Sequence, residues 1–240
     1  YANREPRFYA SIAFSGSVWE CKSASETSMQ DKQVFYYRET TDGKSYNNDE
    51  RFPVTGIGVK KYYHPDDAVS TGGYITTKFE PAIRYADILM WYVEAINELK
   101  GPHKMTLFDG EEIEIKRDVE ALRSGIKPIR MRAGLPDFSP DIYGDPAAFR
   151  IAMKHERQIE FFAECKRYYD LRRWCDAEIE ENMPVWGYNI YAGTSNRIDF
   201  YKREIVTTYP KVFISPSMYL WPIPQYELTR NKKLTQNPGW

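Results

Sequence analysis

The chain has 240 residues, 42% of them apolar, and a formal net charge of −1, which is enough for one large domain or two small ones around a real core. Near-cancellation of charge excludes the basic excess of a nucleic-acid binder. No apolar run approaches the ~20 residues that a membrane-spanning helix needs.

Aromatic residues reach 15%, with 19 Tyr among them, so many rings carry a polar tip. Such side chains bury area while still meeting water, which suits either a half-wet helical core or sugar stacking. The three cysteines, Cys21, Cys165 and Cys175, offer neither a CxxC pair nor a disulfide framework. On one helix, positions 165 and 175 would lie ~15 Å apart, too far to bridge. Neither a small-residue cleavage site nor an apolar stretch precedes Cys21, so it reads as an ordinary thiol.

In chain order, residues 1–78 read as a loop-rich segment with short strands and turns at Asp42-Gly43, Thr55-Gly56 and Gly72-Gly73. Residues 79–181 form a helical core. Its first helix spans Ile83 to Leu99, apolar on most sides, with a polar strip of Asp87, Glu94 and Glu98, and is stopped by Gly101-Pro102. Residues 111–115, EEIEI, alternate like a strand or hairpin arm. A second helix is predicted over Asp118 to Ala133, broken or kinked at Pro128 and ended by Gly134-Leu135-Pro136. Asp145-Pro146 starts a third helix, expected to run to about residue 180 or to break once near Trp174. Residues 182–240 read as loops and a proline-punctuated tail, with a strand near Phe200–Thr207.

The third helix carries an unusual stripe. With Phe149 at 0°, Met153, Ala163, Leu171 and Trp174 fall within about 40° of one face, and Glu156, Glu160 and Arg167 share it. Glu164 and Asp170 flank that face. Glu156, Glu160 and Glu164 are successive i,i+4 neighbours that repel, so cations such as Arg167, Arg157 or Arg84 are required nearby. Clustered carboxylates can form an acid/base site or a structural ion network. Interleaved arginines, with no converging nucleophile or metal set, favour the structural network of Glu156, Arg157, Glu160, Glu164, Arg167 and Asp170.

Other chemical motifs fail on inspection. Gly43-Lys44-Ser45 lacks the first glycine of a P-loop, since position 38 is Arg; His155-Glu156 lacks the second His of a zinc motif, since position 159 is Ile. Asp137, Asp141 and Asp145 are candidate calcium oxygens, with solvated loop roles and helix capping as the alternative. No cofactor is called for.

Five ordered segments resemble the SusD/RagB family of nutrient-binding lipoproteins. Pro6-Arg7-Phe8-Tyr9-Ala10-Ser11-Ile12 is similar to the family's opening of its C-terminal half, and Ile83-Arg84-Tyr85-Ala86-Asp87-Ile88-Leu89 to one of its helices. Ile129-Arg130-x-Arg132-Ala133-Gly134-Leu135 resembles a family turn. Glu156, Arg157, Glu160, Glu164, Arg167, Asp170, Leu171, Arg173 and Trp174 match the family's long-helix pattern, and Gln236-Asn237-Pro238-Gly239-Trp240 its end. Cys165 departs from the pattern, because members usually carry glycine there.

The resemblance implies a mainly α fold with tetratricopeptide-like helical hairpins, long irregular loops and few short strands. It implies that the chain is one C-terminal domain, a piece of a longer protein. That protein would be exported, lipid-anchored through a segment outside this chain, and held on the outer surface of the outer membrane. There it would bind glycans without chemistry and serve a SusC/RagA-like TonB-dependent transporter. Ring contacts are expected in the irregular first segment at Tyr36, Tyr37, Tyr46 and Trp19, with Trp186, Tyr188 and Tyr191 as an alternative surface. The rival functions are a glycoside hydrolase using Glu156, Glu160 and Glu164, and a helical scaffold for a protein partner.

Overall fold

A computed structural model describes residues 1–21, 31–45, 52–67 and 74–240. A short helix α1 (Pro6–Ser11) runs into strand β1 (Ile12–Ala13), which pairs antiparallel with β2 (Gly58–Val59). Helix α2 (Tyr85–Glu98) is followed by the hairpin β3 (His103–Thr106) and β4 (Glu112–Ile115), then by α3 (Val119–Arg132), α4 (Pro140–Gly144) and α5 (Pro146–Glu160). After α6 (Lys166–Arg173) and α7 (Ala177–Glu180), β5 (Trp186–Tyr188) pairs antiparallel with β6 (Arg203–Ile205) around α8 (Arg197–Phe200); α9 (Gln225–Arg230) lies in the tail.

These elements divide between two compact units. The first comprises Tyr1–Ser11, Lys60–His64 and Val69–Phe162. Its core is helical: Met90 and Val93 of α2, Leu122 and Ile126 of α3, and Phe149 and Met153 of α5 are fully buried against one another. Gly125 lets α3 approach α2 closely, since a Cβ there would stand 2.3 Å from Val93 Cγ1. Each helix begins on a cap. The Asp118 carboxylate accepts from the Ala121 amide at 2.9 Å, and the Asp145 carboxylate from the Ala147 amide at 2.8 Å, with Pro146 in the first turn. Helix α3 carries Pro128 without interruption; it ends where Gly134 turns left-handed (φ +75°) and the Leu135 amide donates to the Arg130 carbonyl at 2.9 Å.

Two expectations for α2 are corrected. Asp87 is not on a solvent strip: it is fully buried, and its carboxylate accepts from the Arg84 amide at 2.9 Å to close the helix start. The exposed side of α2 instead displays Tyr85, Ile88, Trp91 and Tyr92.

The second unit comprises Ile12–Val59, Pro65–Ala68 and Ala163–Trp240. Its main core gathers Ala13, Val34, Tyr36, Tyr37, Ala192 and Phe200, and a smaller one Leu171, Ala177 and Phe213. Here the predicted strand near Phe200–Thr207 is β6. The tail is latched by polar contacts: Gln236 Oε1 accepts from the Ile223 amide at 2.8 Å, Gln236 Nε2 donates to the Ile223 carbonyl at 3.0 Å, and Trp240 Nε1 donates to the Ser217 carbonyl at 2.9 Å.

The predicted long helix is therefore not one helix. Helix α5 stops at Glu160, and α6 restarts at Lys166. Between them Ala163 (φ +61°) and Cys165 (φ +57°) are left-handed, a conformation that cannot continue a right-handed helix and that costs a non-glycine residue about 1–2 kcal/mol.

Candidate functional site

The break divides the expected charge network. Glu156 and Glu160 stay in the first unit, while Glu164, Arg167 and Asp170 belong to the second. There Arg167 pairs with Glu180 at 3.1 Å and Asp170 with Arg173 at 2.9 Å. Arg157 is buried with its guanidinium 4.7 Å from the Phe161 ring centroid.

Glu156 and Glu160 are instead met by the arginines of the other sequence motifs. Arg7 from α1 reaches both, with Nη2 2.7 Å from Glu156 Oε1 and Nη1 3.1 Å from Glu160 Oε2. Arg130 lies 2.5 Å from Glu156, Arg132 2.5 Å from Glu160, and Arg84 3.0 Å from Glu160. Lys61 Nζ and Arg84 Nη2 also cap the Glu160 carbonyl, at 3.1 and 3.4 Å, where the helix macrodipole favours cations. Burial by itself pushes the Glu160 carboxyl up, but the Arg132 and Arg84 guanidiniums outweigh it and hold it below the ordinary carboxylate value. A carboxylate held ionised in this way is a structural anion and a poor general acid.

Two of the aspartates considered for calcium, Asp137 and Asp145, are engaged otherwise. Asp137 accepts the Tyr143 hydroxyl at 2.6 Å and pairs with Arg123 at 3.1 Å, and Asp145 caps α5. Among the described residues no group of three or more His, Cys, Asp or Glu is placed to hold a metal ion.

The aromatic candidates lie in the second unit. Tyr36 and Tyr37 are only 6% and 5% exposed, so their ring faces pack within the core rather than meeting solvent. Burial, with Asp42 nearby, pushes the Tyr36 phenol up to about 12. Tyr37 lies edge-on to Phe200 at 4.9 Å, and its hydroxyl is 3.0 Å from that of Tyr201. Trp19 is half-buried against the same core, and Tyr46 lies outside the described residues.

The alternative surface is better presented. In the β5–β6 ribbon Trp186 stands opposite Ile205 and Tyr188 opposite Arg203, so these four side chains share one face while Gly187 faces the Thr55 backbone. Trp186 is 43% exposed and Tyr191 57%. Tyr188 stacks on Phe200 at 5.5 Å and meets Tyr201, itself 42% exposed, at 5.8 Å. Tyr188, Tyr201 and Tyr37 thus form a belt of contacting rings resting on Phe200, and Trp186 extends it on the same ribbon face. Sequence reading missed Tyr201, Arg197 and Arg203 in this belt; the available signal was the dense alternation of rings and cations from residue 197 to 204.

The model of the SusD family matches residues 1–240, and the chain belongs to that family. Among solved structures, a SusD-like protein from Bacteroides fragilis NCTC 9343 is 29% identical, with a TM-score of 0.69 over 100% of this chain and 40% of its own. A SusD-like carbohydrate binding protein from the same strain is 25% identical, with a TM-score of 0.64 over 96% of this chain and 41% of its own. The protein BT4246, in its selenomethionine form, shares the fold at a TM-score of 0.78 and 24% identity, over 99% of this chain and 38% of its own. The chain thus spans about two fifths of the length of these relatives. No match is found among curated proteins. The mainly helical fold with few short strands is the SusD-like fold these relatives share.

Proposed function

We propose that this chain is the C-terminal part of a longer cell-surface protein that binds glycan nutrients without altering them. The observation carrying this reading is the belt of Trp186, Tyr188 and Tyr201, in which Trp186 and Tyr201 are exposed and Tyr188 is half-buried beside them. Flat rings with polar tips offer the stacking area and hydrogen bonds that sugars need. Family membership and the carbohydrate-binding description of one relative support the same reading.

In this reading the whole protein is lipid-anchored on the outer face of the outer membrane and passes its ligand to a SusC-like TonB-dependent transporter. Tyr36, Tyr37 and Trp19 serve the ligand from beneath, by fixing the ring belt; Tyr46 stands as a further candidate contact.

Titration calorimetry of the 240-residue chain against a glycan panel tests the proposal. A Trp186→Ala, Tyr201→Ala double variant that keeps its circular dichroism is expected to lose binding about tenfold or more, the scale of losing one buried aromatic contact. Unchanged affinity would remove the belt. Release of reducing sugar, abolished by Glu160→Gln in a folded chain, would replace binding with hydrolysis.

A further inference from the structure

Two cations mark the ends of the ring belt. Arg203 is exposed on the ribbon face with its guanidinium 4.4 Å from the Trp186 ring centroid, and Arg197 is exposed with its guanidinium 5.5 Å from that of Tyr37. Among the described residues neither side chain makes an ion pair or a hydrogen bond. By contrast Arg38, Arg167 and Arg173 of the same unit each have a carboxylate. In the buried network Arg7, Arg84, Arg130 and Arg132 are all paired as well.

The neighbouring acids do not neutralise them. Asp199 is engaged by Lys202 at 2.5 Å and by the Asn196 amide. Glu204 stands opposite Gly187 in the ribbon register, on the face away from Trp186, Tyr188 and Arg203. Two guanidiniums thus lie near aromatic rings with no paired carboxylate among the described residues. A guanidinium held near a ring by cation–π attraction keeps N–H donors available, in the fork that matches a carboxylate or sulfate.

We infer that this belt selects acidic glycans, with Arg197 and Arg203 pairing to carboxylate or sulfate groups of sugars stacked along Trp186, Tyr188 and Tyr201. The inference rests on the carbohydrate-binding reading above and sharpens its ligand class. A neutral sugar would fill the ring surface and leave both cations without a counter-charge. An acidic one supplies ring contact and charge-assisted hydrogen bonds together.

Matched ligands test it on the 240-residue chain. One arm compares oligogalacturonides with their fully methyl-esterified forms, and the other compares chondroitin sulfate oligosaccharides with their desulfated forms. The acidic member of at least one pair is expected to bind about tenfold or more tighter than its less charged counterpart, and to weaken as salt is raised. Which arm responds assigns carboxylate or sulfate. Arg203→Gln and Arg197→Gln, checked by circular dichroism, should each erode that preference and flatten the salt dependence. Equal or better binding of the uncharged member overturns the inference while leaving glycan binding intact. An acidic preference untouched by both substitutions overturns the assignment to this belt. Failure to bind any glycan in either arm or in the neutral panel removes both the inference and the reading beneath it.

Discussion

Arg7 Nη1 and Glu160 Oε2 meet at 3.1 Å across 153 positions of sequence. That contact ties the first helix of the chain to the end of α5, and Arg84 and Arg132 converge on the same carboxylate. Removing the anion would leave three guanidiniums around a buried neutral group. Glu160→Gln is therefore expected to destabilise the fold by about 3 kcal/mol, read as a lowered urea midpoint with unchanged slope. A change under about 0.5 kcal/mol would show the network to be dispensable.

The same carboxylate makes a signed prediction in pH. Burial raises its pKa, but the Arg132 and Arg84 guanidiniums lower it by more, so the native value lies below the ordinary one. Its contribution is fully present above the unfolded pKa, about 4.3, and is lost as pH falls through the lower native value. Stability of the parent should drop below about pH 4 more steeply than that of Glu160→Gln, measured by urea titrations at stepped pH.

Gly125 sets the approach of α3 to α2. A Cβ would stand 2.3 Å from Val93 Cγ1, and Val93 is itself fully buried and stiff at χ1. Gly125→Ala should cost about 1–3 kcal/mol in thermal or urea unfolding, despite the better helix propensity of alanine. Gly144→Ala is the control: nothing lies within 4 Å of its added Cβ, so its effect should stay within about 0.5 kcal/mol.

Cys165 holds a left-handed backbone at φ +57° directly before α6. Glycine adopts that conformation without a Cβ penalty but loses more chain entropy on folding. The balance favours Cys165→Gly by about 0.5 kcal/mol, visible as a raised melting temperature. Cys165→Val should lower it.

Tyr37 and Tyr201 share a hydroxyl–hydroxyl contact at 3.0 Å. Burial, then the hydrogen bond to the Tyr37 hydroxyl and charge repulsion from that phenol, push the Tyr201 phenol up to about 12. Tyr37→Phe removes the hydrogen bond but keeps the ring, so Tyr201 should ionise at lower pH, still above the ordinary tyrosine value because burial remains. Phenolate absorbance during alkaline titration checks this.

Local signals in the sequence located the three longest helices, α2, α3 and the start of α5, because caps and periodicity act within a few residues. Asp118, Asp145-Pro146 and Gly134 each mark a boundary through one nearby hydrogen bond or one backbone angle. The long-helix expectation failed for a related reason. The apolar pattern continues through Phe161–Cys165, while the left-handed turns at Ala163 and Cys165 leave no periodic trace. The departure from glycine at Cys165 was the visible hint.

The charge network around Glu156 and Glu160 separates what local sequence carries from what packing carries. From sequence alone, Glu156 and Glu160 needed buried cations, because unpaired carboxylates in an apolar stripe are too costly. Sequence order could not say which cations, since ion pairing depends on distance in space and Arg7, Arg84, Arg130 and Arg132 lie far apart along the chain. Only the tertiary structure brought those arginines to two carboxylates and gave Arg167 the partner Glu180 and Asp170 the partner Arg173. It also decided the rings: Tyr36 and Tyr37 matched exposed tyrosines in composition, and burial, a property of packing, separated them from Trp186 and Tyr201.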